Sequence, residues 1–60
     1  MNVKALRRQR GVNQTDLAKR VGVTQAYIAM LEKGSNVNPT LALLTKLAKA
    51  LRVPVSDLIR

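Results

Sequence analysis

Residues 13 to 34, NQTDLAKRVGVTQAYIAMLEKG, constrain the fold more than any other stretch, because they set caps and glycine stops at short-helix spacing. Asn13 offers the side-chain oxygen of an N-cap. Asp16, three residues later, makes a capping-box-like pair and brings negative charge to the positive end of the helix dipole. Leu17 and Val21 recur at i and i+4 as one apolar stripe, with Ala18 a low spot where another helix can approach closely. Gly22 ends this helix, as glycine does where the chain turns left-handed, and Val23 follows as a buried contact across the turn. Thr24 caps a second helix, Ile28 and Leu31 give it an inward face, and Gly34 stops it. A turn as short as Val21 to Thr24 makes the two helices cross steeply.

The outer face of the second helix is the informative one. At about 100° per residue, Ala26, Met30 and Lys33 lie opposite Ile28, with Ala29 on the flank and Gln25 in the first turn. A face of Gln, Ala, Tyr, Met and Lys makes a poor core but suits the edges of DNA bases. Gln can hydrogen-bond adenine in a bidentate way, and Ala or Met can touch a thymine methyl. The plain alternative is a solvated helix face with two tolerated apolar residues.

The totals narrow the choice. Sixty residues allow one small domain, and a chain of that length buries only about 60% of its unfolded surface. With no Cys and no His, neither a disulfide nor a usual zinc site can reinforce it, and the lack of Cys fits a reducing cytosol. Apolar content of 47% with a single aromatic residue implies an aliphatic helical core. Eleven Lys and Arg against three Asp and Glu give a formal charge of +8, which calls for an anionic partner, nucleic acid or an anionic membrane surface. No run approaches the roughly 18 apolar residues of a membrane span. The basic N-terminus MNVKALRRQR leads into no apolar signal segment.

The remaining segments supply the rest of a helical domain. Residues 2 to 10 read as a first helix with Asn2 a candidate cap, Val3 and Leu6 inward, and Lys4, Arg8 and Arg10 outward. Arg7, beside Leu6, falls close enough to the apolar face to be partly buried and then needs a partner. Asp16 and Asp57 have local capping roles, which leaves Glu32 as the candidate; the alternative is that Arg7 points into solvent. Gly11 ends this helix, with Val12 a staple residue before Asn13. After the loop Gly34 to Asn38, Asn38 is expected to cap helix four and Pro39 to be its first residue. Leu41, Leu44, Leu47, Ala48 and Leu51 form its core face, while Leu43 lies off it, free to pack on helix five or a partner chain. Lys46, Lys49 and Arg52 are solvated. Val53-Pro54 breaks the helix, and Val55 to Ile59 makes a final turn that must lie against the body of the domain. Its apolar residues Val55, Leu58 and Ile59 are also a candidate dimer surface.

Five helices in this order, with a helix-turn-helix at the second and third, resemble the phage-repressor and Cro type of DNA-binding domain (XRE-like, lambda-repressor-like). The resemblance rests on RGVNQTDLAKRVGVTQAYIAMLEKG, on Pro39 after a polar loop, on the leucine-rich helix four and on VPVSDLI. It implies an all-α, five-helix single domain over residues 1-60, with the second helix of the motif in the major groove and dimers spanning two half-sites about one DNA turn apart. Position by position, it implies base contacts from Gln25, Ala26, Met30 and Tyr27. Backbone contacts are implied for Asn13, Gln14, Thr24, Lys33, Asn36 and Asn38. Gln14 resembles a family glutamine that touches phosphate and braces the recognition helix, and Arg7 with Glu32 matches the family's buried ion pair. Two departures stand out. The loop Ser35, Asn36, Val37, Asn38 lacks the basic residues that close relatives of the pattern place there, and Ala26 and Met30 offer few hydrogen bonds. Readout then leans on Gln25, apolar contact and DNA shape.

The expected function is therefore a dimeric, sequence-specific regulator that binds double-stranded, pseudo-palindromic operator DNA and represses transcription, with activation also open. An antitoxin of the same fold is the alternative, although no segment of this chain is spare for a toxin. A cationic bundle acting on membranes is disfavoured because the apolar stripes are used by one core. An enzyme is excluded: without His or Cys, and with three carboxylates committed to caps and pairing, no acid–base or metal constellation assembles. No cofactor and no small-molecule ligand are expected. The setting implied is a prokaryotic cytoplasm, with a phage or prophage source open, and the homodimer is expected to be weak and strengthened on DNA.

Overall fold

Five helices follow one another in the computed structural model, which describes residues 1–34 and 37–60: α1 (Val3–Gln9), α2 (Gln14–Val21), α3 (Gln25–Lys33), α4 (Leu41–Leu51) and α5 (Val55–Leu58). No strand occurs among the described residues. The expected all-α architecture is the one observed. None of these helices is long and apolar enough to cross a membrane.

Local chemistry sets the three central helix starts. Asn13 Oδ1 accepts from the Asp16 N–H at 2.7 Å, Thr24 Oγ1 from the Tyr27 N–H at 3.1 Å, and Thr40 Oγ1 from the Leu43 N–H at 3.1 Å. Each satisfies an amide that the first helical turn leaves free. At Asn13 and Asp16 only this half of the capping box forms. The cap of α4 is Thr40, not Asn38, and Pro39 precedes the helix instead of opening it. A threonine hydroxyl directly before the apolar run satisfies the α4 amides from a position that Asn38 would occupy only in a longer helix. Asn2 makes no side-chain cap; its N–H donates to the Leu58 carbonyl at 2.7 Å, tying the start of α1 to the end of α5.

Helix ends are equally local. Gly11, Gly22 and Gly34 all have positive φ, and after the first two the next amide reaches back to close the helix, Val12 N–H to Arg7 O at 3.1 Å and Val23 N–H to Ala18 O at 3.0 Å. Arg52 does the same at the end of α4, with φ 58° and a Val53 N–H to Ala48 O bond of 3.0 Å.

Every helix sends residues into one core: Val3 and Leu6 from α1, Leu17, Ala18 and Val21 from α2, Ile28 and Leu31 from α3, Leu47, Ala48 and Leu51 from α4, and Leu58 from α5. Two expectations about α4 are corrected. Leu41 is 72% exposed, although it lies within about 20° of Ala48 around the helix axis. It sits in the first turn, where the apolar stripe runs past the body of the domain. Leu43 packs against the core instead, in line with Leu47 and Leu51 at successive i+4 steps.

Candidate nucleic-acid interface

Packing of α3 fixes which of its faces is available. Ile28 and Leu31 are buried against α2 and the core, so Gln25, Ala26, Met30 and Lys33 are left exposed, with Tyr27 and Ala29 half-buried. Met30 keeps 45% of its surface. A helix of this width fits a major groove about 12 Å across. Tyr27 turns partly aside, lining a groove of about 350 Å³ between the α2–α3 turn and the start of α4, where Asn38 and Lys46 also lie.

Beneath that face runs a continuous chain of hydrogen bonds. Arg7 donates to Glu32 through Nε at 2.7 Å and Nη2 at 3.1 Å, and through Nη1 to the Val12 carbonyl at 2.9 Å. Gln14 Nε2 donates to Glu32 Oε1 at 3.0 Å, and Gln25 Nε2 donates to Gln14 Oε1 at 2.7 Å. The Glu32 side chain is only 2% exposed and that of Arg7 11%. Burial pushes the Glu32 carboxyl up, but hydrogen bonds from Arg7 and Gln14, with the charges of Arg7 and Lys4, outweigh it and hold the group below its usual value. The hydrogen bond to Glu32 raises the Arg7 guanidinium despite its burial. Arg7 thus takes the paired position expected of it and does not point into solvent. Sequence reasoning did not find the Gln14–Glu32 bond, because it depends on the crossing of α1, α2 and α3.

The Gln14–Gln25 bond also brings the N-terminal ends of α2 and α3 together, so two positive dipole ends share one edge. Asn13 and Thr24 belong to that edge. Their oxygens accept within their caps, leaving the Asn13 amide N–H groups and the Thr24 hydroxyl proton to donate outward. Lys33 and Asn38 are exposed at other points of the surface. Asn36, expected to contact the DNA backbone, lies outside the described residues.

The candidate dimer surface differs from expectation. Leu58 is fully buried in the chain's own core and Val55 packs against that core, so of the candidate dimer residues Ile59, 58% exposed, is the one openly available. A turn as short as α5 can bury its last residue, Leu58, only by lying flat on the domain. Arg10 is exposed, as expected, and in addition donates from Nε to the Leu51 carbonyl at 2.8 Å and from Nη2 to the Arg52 carbonyl at 3.2 Å. It satisfies carbonyls at the end of α4 and, with Arg20 and Arg52, lines a cleft of about 280 Å³.

Comparison with known proteins shows the family and the fold. A family model described as helix-turn-helix matches residues 3–58. The chain is 40% identical over 58 residues to an uncharacterized HTH-type transcriptional regulator, y4dJ, of Sinorhizobium fredii, covering 97% of this chain and 74% of that protein. It is 38% identical over 58 residues to an uncharacterized HTH-type transcriptional regulator of Coxiella burnetii, of which it spans only 27%. Among solved structures, SinR, the master regulator for biofilm formation, in complex with DNA, superposes with a TM-score of 0.87 at 29% identity, covering 97% of this chain and 92% of that one.

Proposed function

Because the chain belongs to the helix-turn-helix family, we propose that it is a transcriptional regulator that binds duplex DNA, laying α3 in the major groove with Gln25, Ala26 and Met30 at base edges. The observation that carries this reading is the exposed outer face of α3, whose first-turn glutamine is held by Gln14 at 2.7 Å. A donor–acceptor amide kept in place beside the apolar Ala26 and Met30 reads sequence better than it stabilises a fold. The charge of +8 supplies phosphate attraction common to all sequences. Asn13, Gln14 and Thr24 set the register on one strand, and Lys33 and Asn38 extend the backbone contacts. Residues 1-60 act as one DNA-binding unit.

The regulator binds as a weak dimer whose two copies of α3 meet half-sites about one turn apart, the protein contact including Ile59 and strengthening on DNA. It represses by occluding the promoter. Selection of bound duplexes from a random pool at about 150 mM salt, physiological ionic strength, tests the whole reading. A two-fold symmetric motif with half-sites about 10 bp apart is the expected result. Enrichment of no sequence, with binding abolished as salt rises, would reduce the charge to nonspecific attraction and favour a protein partner.

A further inference from the structure

We infer that Glu32, which has no contact with DNA in this reading, selects the base read by Gln25 by fixing which way the Gln14 and Gln25 amides point. The inference rests on the base-reading role proposed for Gln25. An ionised carboxylate offers only acceptors, and Arg7 holds this one in place through two bonds. Gln14 must therefore turn its NH2 group toward Glu32 Oε1, which it does at 3.0 Å, and its oxygen toward Gln25. That oxygen can only accept, so Gln25 must give it an N–H, at 2.7 Å. Each amide orientation follows from the one before it.

What remains for the groove is one N–H and the carbonyl oxygen of Gln25. That pair matches adenine, whose major-groove edge offers the N7 acceptor and the N6 donor; guanine offers two acceptors, N7 and O6. Gln25 with the opposite amide orientation would present both N–H groups and match guanine. Glu32→Gln supplies the means of reversal. The new amide offers one oxygen where the carboxylate offers two. With that oxygen at the Oε2 position, on Arg7 Nε, its NH2 group faces Gln14 and the Gln14 and Gln25 amides both turn over. An oxygen at the Oε1 position still serves Arg7 Nη2 and Gln14, so a single enforced orientation becomes a mixture of two. Glu32 is a positioning residue, acting through Gln14.

The test compares binding to the selected operator with A·T or G·C at the base pair where Gln25→Ala flattens discrimination, for the native chain, Glu32→Gln and Gln14→Ala. Measurements are made at a temperature where circular dichroism shows each variant folded. The native chain is expected to favour A·T. Glu32→Gln is expected to lower that preference by about tenfold or more, the scale of a single bidentate base contact. Gln14→Ala, which leaves the Arg7–Glu32 pair intact, is expected to lower it too, and it decides the question if Glu32→Gln does not fold. A purely structural role would weaken both duplexes equally and leave the ratio alone. If Gln25→Ala flattens one position while the folded variants keep the native ratio, the inference is overturned and base reading by Gln25 stands. If Gln25→Ala flattens no position, base reading fails and the inference falls with it.

Discussion

Arg7 and Glu32, 25 residues apart in sequence, are joined through Nε–Oε2 at 2.7 Å and Nη2–Oε1 at 3.1 Å. The pair ties α1 to the C-terminal half of α3, so the helix proposed to enter the groove is anchored to the first helix as well as to α2. Its second carboxylate oxygen carries the bond to Gln14. One buried carboxylate therefore serves both the fold and the proposed reading face.

Glu32→Ala is expected to destabilise the domain by roughly 3 kcal/mol, the lower end for removing one partner of a buried pair and leaving the other charge uncompensated. Thermal unfolding followed by circular dichroism measures it. An unchanged melting temperature would mean that solvent already compensates Arg7.

Acid should erase part of the same contribution. The folded Glu32 carboxyl lies below its usual value, so its share of stability is complete above the unfolded value, about 4.3, and is lost as pH falls through the lower folded value. The difference in melting temperature between the native chain and Glu32→Gln is thus expected to be largest near neutral pH and to shrink below about pH 4.3. A difference that stayed constant to low pH would assign the effect to packing instead of ionisation.

Arg52→Gly is expected to stabilise. Arg52 sits at φ 58°, a conformation that costs an ordinary residue about 1–2 kcal/mol, partly offset by the greater freedom glycine gains in the unfolded chain. The carbonyl that Arg10 uses is retained. A net gain of about 0.5–1 kcal/mol in denaturant unfolding is the expected balance; a loss would show that the Arg52 side chain itself contributes to the fold.

Arg10→Met keeps the aliphatic stem but removes the donors to the Leu51 and Arg52 carbonyls. The expected cost is about 1–2 kcal/mol, the scale of losing hydrogen bonds from a charged donor. A surface cation with no structural duty would change stability by less than about 0.5 kcal/mol.

The parts of this structure legible in the sequence are those decided within a few residues. The caps at Asn13 and Thr24 and the left-handed glycines 22 and 34 each depend on a side chain and its own turn. The stripe of Leu17 and Val21 was legible for the same reason. The start of α4 was misread because the Asn–Pro pairing and the Thr40 hydroxyl both signal a helix start, and only the distance to the core distinguishes them. Leu41 was not legible because burial depends on where a helix overhangs the body, which periodicity does not encode. Within the candidate site, the exposed face of α3 and the Arg7–Glu32 pair were legible from spacing and the scarcity of acids. The Gln14–Glu32 bond and the Arg10 contacts span different helices and needed their crossing geometry.

The central claim is that α3 is the surface DNA meets, and backbone amide resonances of the labelled protein titrated with its selected duplex test it most directly. The account predicts that the largest shifts fall on Asn13, Gln14 and Thr24 through Met30, with smaller ones at Lys33 and Asn38. Shifts gathered instead around Arg10, Arg20 and Arg52, the cleft at the end of α4, with α3 unmoved, would contradict it.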